Sequence, residues 1–402
     1  MNSNKIALLT YSTKPRGGVV HTLSLAESLA ELNQDVHVYA LATGKDFFRE
    51  VRVSYTLIPC PDIEYSNMDE KIKSYIEIYT EYLKSIASKY DIFHAEDCIS
   101  ANALLNLRNM DLIDHYIRTI HHIDDFTSPS LVECQLKSIV EPDYVLAVSK
   151  FWERDLRNKY SLNPRVINNG VSMQNFTSTD DTETKENAKK RFNIDGSKAI
   201  LSIGGIEPRK NTITTLKAYE IAKSELEEKG QKLVWLIGGG ETLFDYRDYR
   251  DEFFSEVGNL GLELDNDIFV LGNVPEDKMT SLYNSADVFA FPSIKEGWGL
   301  VVLEAMAAGV PVIASGIEPM TEYLADEENS LLISPMDHEA LAQKIIMIFD
   351  NSELRSKLIE NGRSTAKMYS WGNAARKHLD FYNEILENDD FSIEDKIAAG
   401  HD

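Results

Sequence analysis

Short apolar runs alternate with segments of helical periodicity along most of the chain. In the first half the runs fall at 6–10, 36–41, 92–95, 117–120 and 145–148, and a helical pattern occupies 22–32. A second series follows at 200–203, 234–237, 268–271, 288–291, 312–314 and 331–333. Buried parallel strands are short, uniformly apolar and joined by helical crossovers, so this pattern predicts an α/β protein with two doubly wound units in tandem.

A polar stretch without periodicity, 175–187, indicates a linker between the two units. We therefore predict a first domain over 1–174 and a second over 175–372. Helical patterns follow at 337–349, 352–366 and 373–387, and we predict that the acidic segment 389–402 is a frayed tail. Ligands of doubly wound sheets bind beyond the carboxyl ends of the strands, so the loops that follow the strands should carry the functional residues.

Composition limits the partners that the chain can bind. Its 65 acidic against 41 basic side chains give a formal net charge of -24, which argues against nucleic acid, because neutralising phosphates requires surplus Lys and Arg. The three cysteines (Cys60, Cys98 and Cys134) are far apart and show neither a zinc spacing nor a disulfide framework, which fits a reducing cytoplasm. No apolar run approaches the roughly 18–20 residues of a membrane span, so we expect any membrane contact to be peripheral.

Two glutamates stand out within the run 291–314, FPSIKEGWGLVVLEAMAAGVPVIA. Glu296 lies in a glycine-containing loop after a predicted strand, and Glu304 follows after seven intervening residues, on the predicted helix 300–308. A carboxylate can accept two hydroxyls at once, so the pair suits recognition of a sugar and a ribose. Taken alone, two such glutamates are more often a turn residue and a solvated helix residue.

The run 291–314 closely resembles the E-x7-E signature of the family 4 retaining glycosyltransferases. Members of that family have the GT-B fold, in which two Rossmann-like domains face a central cleft. The resemblance implies metal-independent and cofactor-independent transfer of a hexose-type sugar from a nucleotide-diphosphate sugar, with its anomeric configuration retained. It also implies that Glu296 contacts the donor sugar and Glu304 the nucleotide, while the intervening loop binds the donor through Gly297, Trp298, Gly299 and Leu300.

Two segments of the first domain extend the resemblance. Gly17 and Gly18 stand after the first strand, as in the glycine loop of the family, where small residues let donor phosphate or acceptor approach the backbone. The segment 118–125, RTIHHIDD, is similar to the family motif T-x-H, and the alignment selects His121 as the histidine near the reacting sugar. Two alternatives stay open, a metal cluster of His121, His122, Asp124 and Asp125, and ordinary loop residues with satisfied hydrogen bonds.

A pair of cations lies in the segment 203–211, IGGIEPRKN, just before a predicted helix. Arg or Lys at a helix N-terminus forms a natural diphosphate receptor, although an isolated pair is more often solvated. The segment is similar to the family motif G-R-L-x-x-x-K-G, in which the arginine and lysine bind the donor diphosphate. Gly204 and Lys210 match the motif, but Gly205 occupies the arginine position. We therefore predict that Arg209 supplies the missing charge.

Weaker similarities follow in the order expected for the family. Val274 belongs to the segment 272–275, GNVP, which fits the loop that borders the donor base. The segment 169–171, NGV, precedes the predicted linker, and Ser370 with Trp371 resembles the S-W that precedes the last helix of the family. In that fold the last helix returns to the first domain, so we expect 373–387 to complete it.

Other functions remain possible from the residues alone. A retaining glycosidase also uses two carboxyls, about 5–5.5 Å apart, but it needs no diphosphate receptor. A hydrolysing nucleotide-sugar epimerase or a non-catalytic nucleotide-sugar-binding protein could share the same motifs. A dinucleotide-dependent oxidoreductase is disfavoured because neither unit has G-x-G-x-x-G with an acid about 20 residues later. The acceptor, a sugar, a lipid-linked molecule or another small molecule, should be shaped by loops near 43–75 and 121–137, which carry no transferable pattern.

Overall fold

The computed structural model describes residues 3–42, 46–61, 65, 67–126, 128–176, 184–240 and 246–399, with side chains up to 387 except that of residue 175. The chain forms two compact units, Met1–Asn169 with Trp371–Asp402, and Gly170–Ser370. The first boundary therefore falls earlier than the predicted break at 175. The reason is a strand-like pairing within the second unit, where Val171 N donates to the Tyr369 carbonyl at 2.7 Å and Val171 bridges to Ser370.

A seven-stranded parallel sheet forms the centre of the first unit. Its strands are β1 (Lys5–Thr10), β2 (Asp35–Leu41), β3 (Ser54–Ile58), β4 (Ile92–Ala95), β5 (Ile117–Ile120), β6 (Tyr144–Ala147) and β7 (Arg165–Val166). They follow the order β3-β2-β1-β4-β5-β6-β7. The five apolar runs predicted as strands are all present, and the two strands that the pattern missed, β3 and β7, lie at the two edges of the sheet.

Five helices connect these strands: α1 (Gly17–Glu31), α2 (Met68–Lys84), α3 (Cys98–Asn109), α4 (Pro129–Val140) and α5 (Lys150–Tyr160). Side-chain caps mark several starts, for example Asp97, which accepts from Ser100 N, and Ser149, which accepts from Trp152 N. The segments 43–75 and 121–137, expected to be loops, are partly helical because α2 and α4 begin within them. Tyr79 of α2 is fully buried against the sheet core.

The second unit contains a six-stranded parallel sheet that confirms the second predicted series. Its strands are β8 (Lys198–Ile203), β9 (Leu233–Gly238), β10 (Ile268–Gly272), β11 (Val288–Phe291), β12 (Val312–Ser315) and β13 (Leu331–Ile333), in the order β10-β9-β8-β11-β12-β13. The surrounding helices are α6 (Met173–Phe176), α7 (Lys185–Arg191), α8 (Thr212–Glu228), α9 (Arg247–Asn259), α10 (Glu276–Ser285), α11 (Leu300–Ala308), α12 (His338–Asp350) and α13 (Ser352–Met368). Within the predicted linker, 177–183 lies outside the described residues and α7 occupies the end.

The last helix, α14 (Trp371–Ala399), packs against α1 in the first unit. The segment 389–399, predicted as part of a frayed tail, is therefore helical, and 400–402 lies outside the described residues. No Gly or Pro occurs between Gly372 and Gly400 to end this helix earlier. Within the described part of the chain, no helix has the length and apolar character needed to cross a bilayer.

Each sheet reverses its strand order at one point, between β1 and β4 in the first unit and between β8 and β11 in the second. The loops after these neighbouring strands diverge to opposite faces of the sheet, which leaves a crevice at the carboxyl edge where ligands of this fold class bind. Residues that follow β1, β4, β8 and β11 are therefore placed for function.

Candidate functional site

The predicted diphosphate receptor lies at the reversal point of the second sheet. After β8 the chain passes through Gly204 and Gly205 into a 3-10 turn, Pro208–Lys210, and then enters α8. The loop after β11 meets this turn, because Ile294 N donates to the Arg209 carbonyl at 2.9 Å. The N-cap residue of α8, Asn211, makes no side-chain cap bond, and within the first turn the Ile213 amide donates to Tyr249 Oη at 3.0 Å.

Glu296 is the centre of this site. Its Oε1 accepts from Arg209 Nη1 and from Lys210 Nζ, each at 2.8 Å. The Glu296 and Lys210 side chains are only 8% and 13% exposed, whereas Arg209 is 41% exposed. Burial alone would raise the pKa of Glu296, but the charges of Lys210 and Arg209 hold that pKa below its ordinary value. The structure thus joins three of the predicted site residues in one charged cluster.

The glycines of the first loop explain why the motif lacks its arginine. Gly205 has φ +75°, and a Cβ there would lie 2.9 Å from the Gly240 carbonyl oxygen. A side chain at this position would be strained and would collide with backbone. Gly204 has φ +131°, and a Cβ there would lie 2.5 Å from Lys210 Cε. The guanidinium of Arg209 reaches the same carboxylate oxygen of Glu296 as Lys210.

Glu304 has a different environment from Glu296. It projects from α11, where Tyr283 Oη of α10 donates to its Oε2 at 2.7 Å. Burial raises the pKa of Glu304 to about 7. One carboxyl of the predicted pair is therefore held ionised by two cations, and the other is close to its titration midpoint at neutral pH.

The loop that enters α11 is built around Gly299 and Trp298. Gly299 has φ +87°, and a Cβ there would lie 2.9 Å from Tyr323 Oη, so only glycine fits without strain. The Trp298 ring is buried, with ring centroids 4.9 Å from Tyr323 and 5.4 Å from Tyr369. Trp298 thus supports the loop from the core, and its carbonyl accepts a hydrogen bond from Tyr323 Oη at 2.9 Å. Gly297 and Leu300 flank these two residues in the chain.

Val274 lines a cavity of about 440 Å³ in the second unit. The cavity walls are formed by Arg191, Phe192, Leu271, Asn273, Val274, Pro275, Lys278 and Ser281. Asn273 also approaches the loop after β9, because a Cβ on Gly240 would lie 2.1 Å from its Oδ1. The residue predicted to border the donor base therefore lies in a concave surface.

His121 of the first unit pairs with a residue that sequence reasoning missed. Its Nε2 lies 2.9 Å from Oε2 of Glu96, which directly follows β4. Gly18 adjoins this pair, since a Cβ there would lie 3.8 Å from His121 Cδ2, whereas a Cβ on Gly17 would meet nothing within 4 Å. Gly17 and Gly18 begin α1 after β1, so all these residues stand at the reversal point of the first sheet.

More imidazoles surround Glu96. His21 Nδ1 is 3.0 Å from Asn169 Oδ1, and His94 contacts Thr119 Oγ1 at 2.6 Å and Tyr382 Oη at 2.7 Å. Burial raises the pKa of Glu96 and lowers that of His21 to about 3 and that of His121 well below its usual value. The described side chains of the alternative cluster do not converge, because His122 pairs with Asp124 at 3.2 Å on the surface while His121 faces Glu96.

Comparisons with known proteins agree with this architecture. Residues 184–365 match the family model for glycosyl transferases group 1, and residues 15–175 match that for glycosyltransferase family 4. An uncharacterised glycosyltransferase of Methanocaldococcus jannaschii is 26% identical over 95% of this chain and 99% of its own length. D-inositol 3-phosphate glycosyltransferase of Corynebacterium glutamicum is 26% identical over 96% of this chain and 98% of its own length.

Solved structures show the same fold. Sucrose-phosphate synthase of Thermosynechococcus elongatus superimposes with a TM-score of 0.79 at 22% identity, covering 96% of this chain and 100% of that one. Anabaena HepE, solved with UDP and glucose, gives a TM-score of 0.78 at 18% identity, covering 94% and 99% of the two chains. The two family models between them span both Rossmann-like units, and the expected GT-B fold is confirmed. The chain belongs to the group 1 (family 4) glycosyltransferases, enzymes that use a nucleotide-sugar donor.

Proposed function

We propose that this enzyme transfers a sugar from a nucleotide diphosphate to an acceptor hydroxyl with retention of anomeric configuration and without a metal cofactor. The observation that carries the proposal is the convergence of Arg209 and Lys210 on Glu296 beside the start of α8. Two cations beside the N-terminus of a helix form a receptor for a diphosphate. A carboxylate in the same cluster supplies acceptors for sugar hydroxyls.

The cations act on the leaving group. Negative charge develops on the diphosphate as the glycosidic bond breaks, so preorganised donors stabilise the transition state more than the ground state. A guanidinium has five N–H donors and an ammonium three, so Arg209 and Lys210 can hold Glu296 and contact phosphate oxygens together. They take the place that a divalent cation has in metal-dependent transfer.

Glu296 and Glu304 are assigned to different parts of the donor, the sugar and the nucleotide. An ionised carboxylate has about four acceptor positions, so Glu296 can accept sugar hydroxyls while bound to its two cations. Glu304 is assigned to the nucleotide, where ribose hydroxyls would donate to its ionised form. Gly297, Gly299 and Leu300 lie between them and let the donor approach the backbone.

Retention follows from attack on the face that the leaving group departs from. The departing phosphate takes the proton of the acceptor hydroxyl, as in the proposed mechanism of the family, so a covalent sugar intermediate is not needed. His121 is assigned to the reacting sugar, and its hydrogen bond to Glu96 fixes the orientation of the ring. We place the reaction in the cytoplasm, where nucleotide sugars are supplied and the cysteines stay reduced.

A donor and acceptor screen tests the proposal. UDP-, GDP- and ADP-sugars are offered with and without acceptors, and nucleoside diphosphate release is followed. UDP-glucose and D-inositol 3-phosphate come first, because the Anabaena relative was solved with UDP-glucose and several relatives are named for that acceptor. We expect acceptor-dependent release and a product whose anomeric NMR coupling matches that of the donor. An inverted product, or equal release of free sugar without acceptor, would contradict the proposal.

A further inference from the structure

Two of the three cysteines meet in the first unit although they are far apart in the sequence. Cys98 is the first residue of α3, and Cys134 belongs to α4, which packs against α3. The side-chain amide of Asn102 donates to both of their carbonyl oxygens, at 2.8 Å for Cys98 and 2.9 Å for Cys134, and its nitrogen lies 3.5 Å from Cys134 Sγ. One amide thus joins the two backbones, and the two thiols are hydrogen-bonded to one another.

The two thiols differ in their access to solvent. Cys98 is half-buried, whereas Cys134 is only 4% exposed. The hydrogen bond with Cys98 and burial both raise the pKa of the Cys134 thiol far above its ordinary value, so Cys134 keeps its proton and donates it towards Cys98. Cys98 is therefore the sulfur that a small oxidant meets first, and Cys134 is its neighbour behind it.

A buried cation stands beside both sulfurs. Arg118 is 7% exposed, and its charge interacts with Cys98 and with Cys134. Its Nη1 donates to the Thr119 carbonyl, but its Nε is a buried donor without a hydrogen-bond partner in the part of the chain that the structure describes. Negative charge that forms on either sulfur during oxidation therefore has a counter-charge inside the protein.

We propose that Cys98 and Cys134 are a redox-active pair, which hydrogen peroxide converts reversibly into a disulfide between α3 and α4. The Cys98 thiolate attacks one peroxide oxygen, the O–O bond breaks, and Cys98 becomes a sulfenic acid while the departing hydroxide takes up a proton. Cys134 then loses its proton, its sulfur bonds to that of Cys98, and the sulfenic oxygen leaves as water. The two sulfurs give up two electrons, peroxide becomes two molecules of water, and a dithiol reductant reverses the change.

The disulfide should act on the catalytic edge of the first unit, a consequence that rests on the proposed function. A covalent bond replaces a hydrogen-bonded contact, so its closure draws the start of α3 towards α4. Asp97 caps α3, and Glu96 directly before it pairs with His121 at 2.9 Å. Displacing this pair should lower kcat by about tenfold or more. Cytoplasmic disulfides are usually transient and redox-sensing, which agrees with cysteines that stay reduced at rest.

Counting thiols in the full-length protein tests the pair. Reduced protein is treated with hydrogen peroxide, unfolded and labelled with iodoacetamide, and its mass is measured. Untreated wild type should take up three labels, one for each cysteine, whereas oxidised wild type should be labelled on Cys60 alone. Peptide mapping should find Cys98 joined to Cys134 within one chain, and dithiothreitol should restore all labels. Cys60→Ser is the matched control, because Cys60 is also half-buried but lies outside the pair, and it should form the same bond.

A further variant distinguishes a pair from a single reactive thiol. In Cys134→Ser, shown by circular dichroism to be folded, peroxide should add oxygen to Cys98 and carry it to a sulfinic acid that dithiothreitol does not reduce. The proposal is overturned if oxidised wild type keeps all its thiols, if Cys60 takes part in the bond, or if the bond joins two chains.

Kinetic assays test the consequence for transfer. Oxidised wild type and oxidised Cys60→Ser should lose about tenfold in kcat and regain it with dithiothreitol. A mapped disulfide with unchanged kcat would overturn the effect on transfer. If the reduced protein turns over no donor, the proposed function fails, while the thiol counts still decide whether the disulfide forms.

Discussion

Replacing Arg209 tests whether this chain has moved the family arginine to a neighbouring position. A charge-assisted hydrogen bond contributes about 1.5–3 kcal/mol, which corresponds to roughly ten- to a hundredfold in catalytic efficiency. Arg209 is 41% exposed, so solvent screening places Arg209→Ala near the lower end of that range. Lys210 is 13% exposed and shares the same carboxylate oxygen, so Lys210→Ala should cost at least as much.

The two replacements should also be coupled, because both cations act on one diphosphate and on one glutamate. In a double-mutant cycle the double variant should lose less than the product of the two single losses, with a coupling of about 0.5–3 kcal/mol. The assay is kcat/KM for nucleoside diphosphate release at fixed ionic strength. Lys217→Ala, an exposed charge farther along α8, is the control and should show wild-type kinetics.

If Arg209→Ala keeps wild-type kinetics with every accepted donor, Arg209 does not compensate for Gly205, and Lys210 must be the side chain that holds the diphosphate. Strict additivity of the two losses would mean that Arg209 and Lys210 act on different groups.

Four other tests address the remaining assignments. Glu296→Gln should lower kcat by at least about tenfold with nearly unchanged affinity for nucleoside diphosphate, whereas Glu304→Gln should mainly weaken that affinity. If calorimetry shows an equal loss of affinity in both variants, the two glutamates do not have the separate roles assigned to them. Burial raises the pKa of Glu304 to about 7, so the folded protein binds the carboxyl proton of Glu304 more tightly than the unfolded chain does. The contribution of protonated Glu304 to the free energy of unfolding is therefore lost as the pH rises from about 4.5 through 7. Glu304→Gln should therefore gain about 1–3 kcal/mol relative to the wild type between pH 5 and pH 8 in urea unfolding, and a constant difference would contradict the burial argument. EDTA treatment should leave most activity, and complete loss that Mg²⁺ or Mn²⁺ restores would overturn metal independence. His121→Ala should lower kcat far more than His122→Ala, and equal effects would undermine the T-x-H assignment.

Most of the strands that could be predicted have residues buried on both faces, and the partly exposed edge strand β10 was recognisable because its residues are still apolar. Their apolar residues are consecutive in the chain, so the central strands of both sheets were recognisable from the hydrophobic pattern of the sequence alone. The missed edge strand Ser54–Ile58 begins with two exposed residues, and Arg165–Val166 is too short to carry a pattern. Tertiary pairing with a neighbouring strand, rather than the local sequence, determines that these segments are extended.

The two clusters of candidate site residues also differ in how well the sequence alone could identify them. The charged cluster of the second unit comes from contiguous motifs, so Arg209, Lys210 and Glu296 could be identified together. The cluster around Glu96 joins His21, His121 and Asn169 from separate segments, and His21 and Asn169 are 148 positions apart in the chain. The one available signal was the polar segment that directly follows the apolar run ending at Ala95, a position where fold topology favours ligand-binding residues.

Strand order explains why both clusters could form where they did. In each sheet the loops after two adjacent strands leave in opposite directions, so short polar side chains from both loops can meet without crossing a helix. In the second unit the loop after β8 also approaches the loop after β9 so closely that a Cβ on Gly205 would lie 2.9 Å from the Gly240 carbonyl oxygen. The buried Glu296 carboxylate is already paired there with Lys210, whose Nζ lies 2.8 Å from its Oε1. Arg209 reaches the same carboxylate oxygen from the same loop, and we predict that its charge takes the place of the arginine for which Gly205 leaves no room.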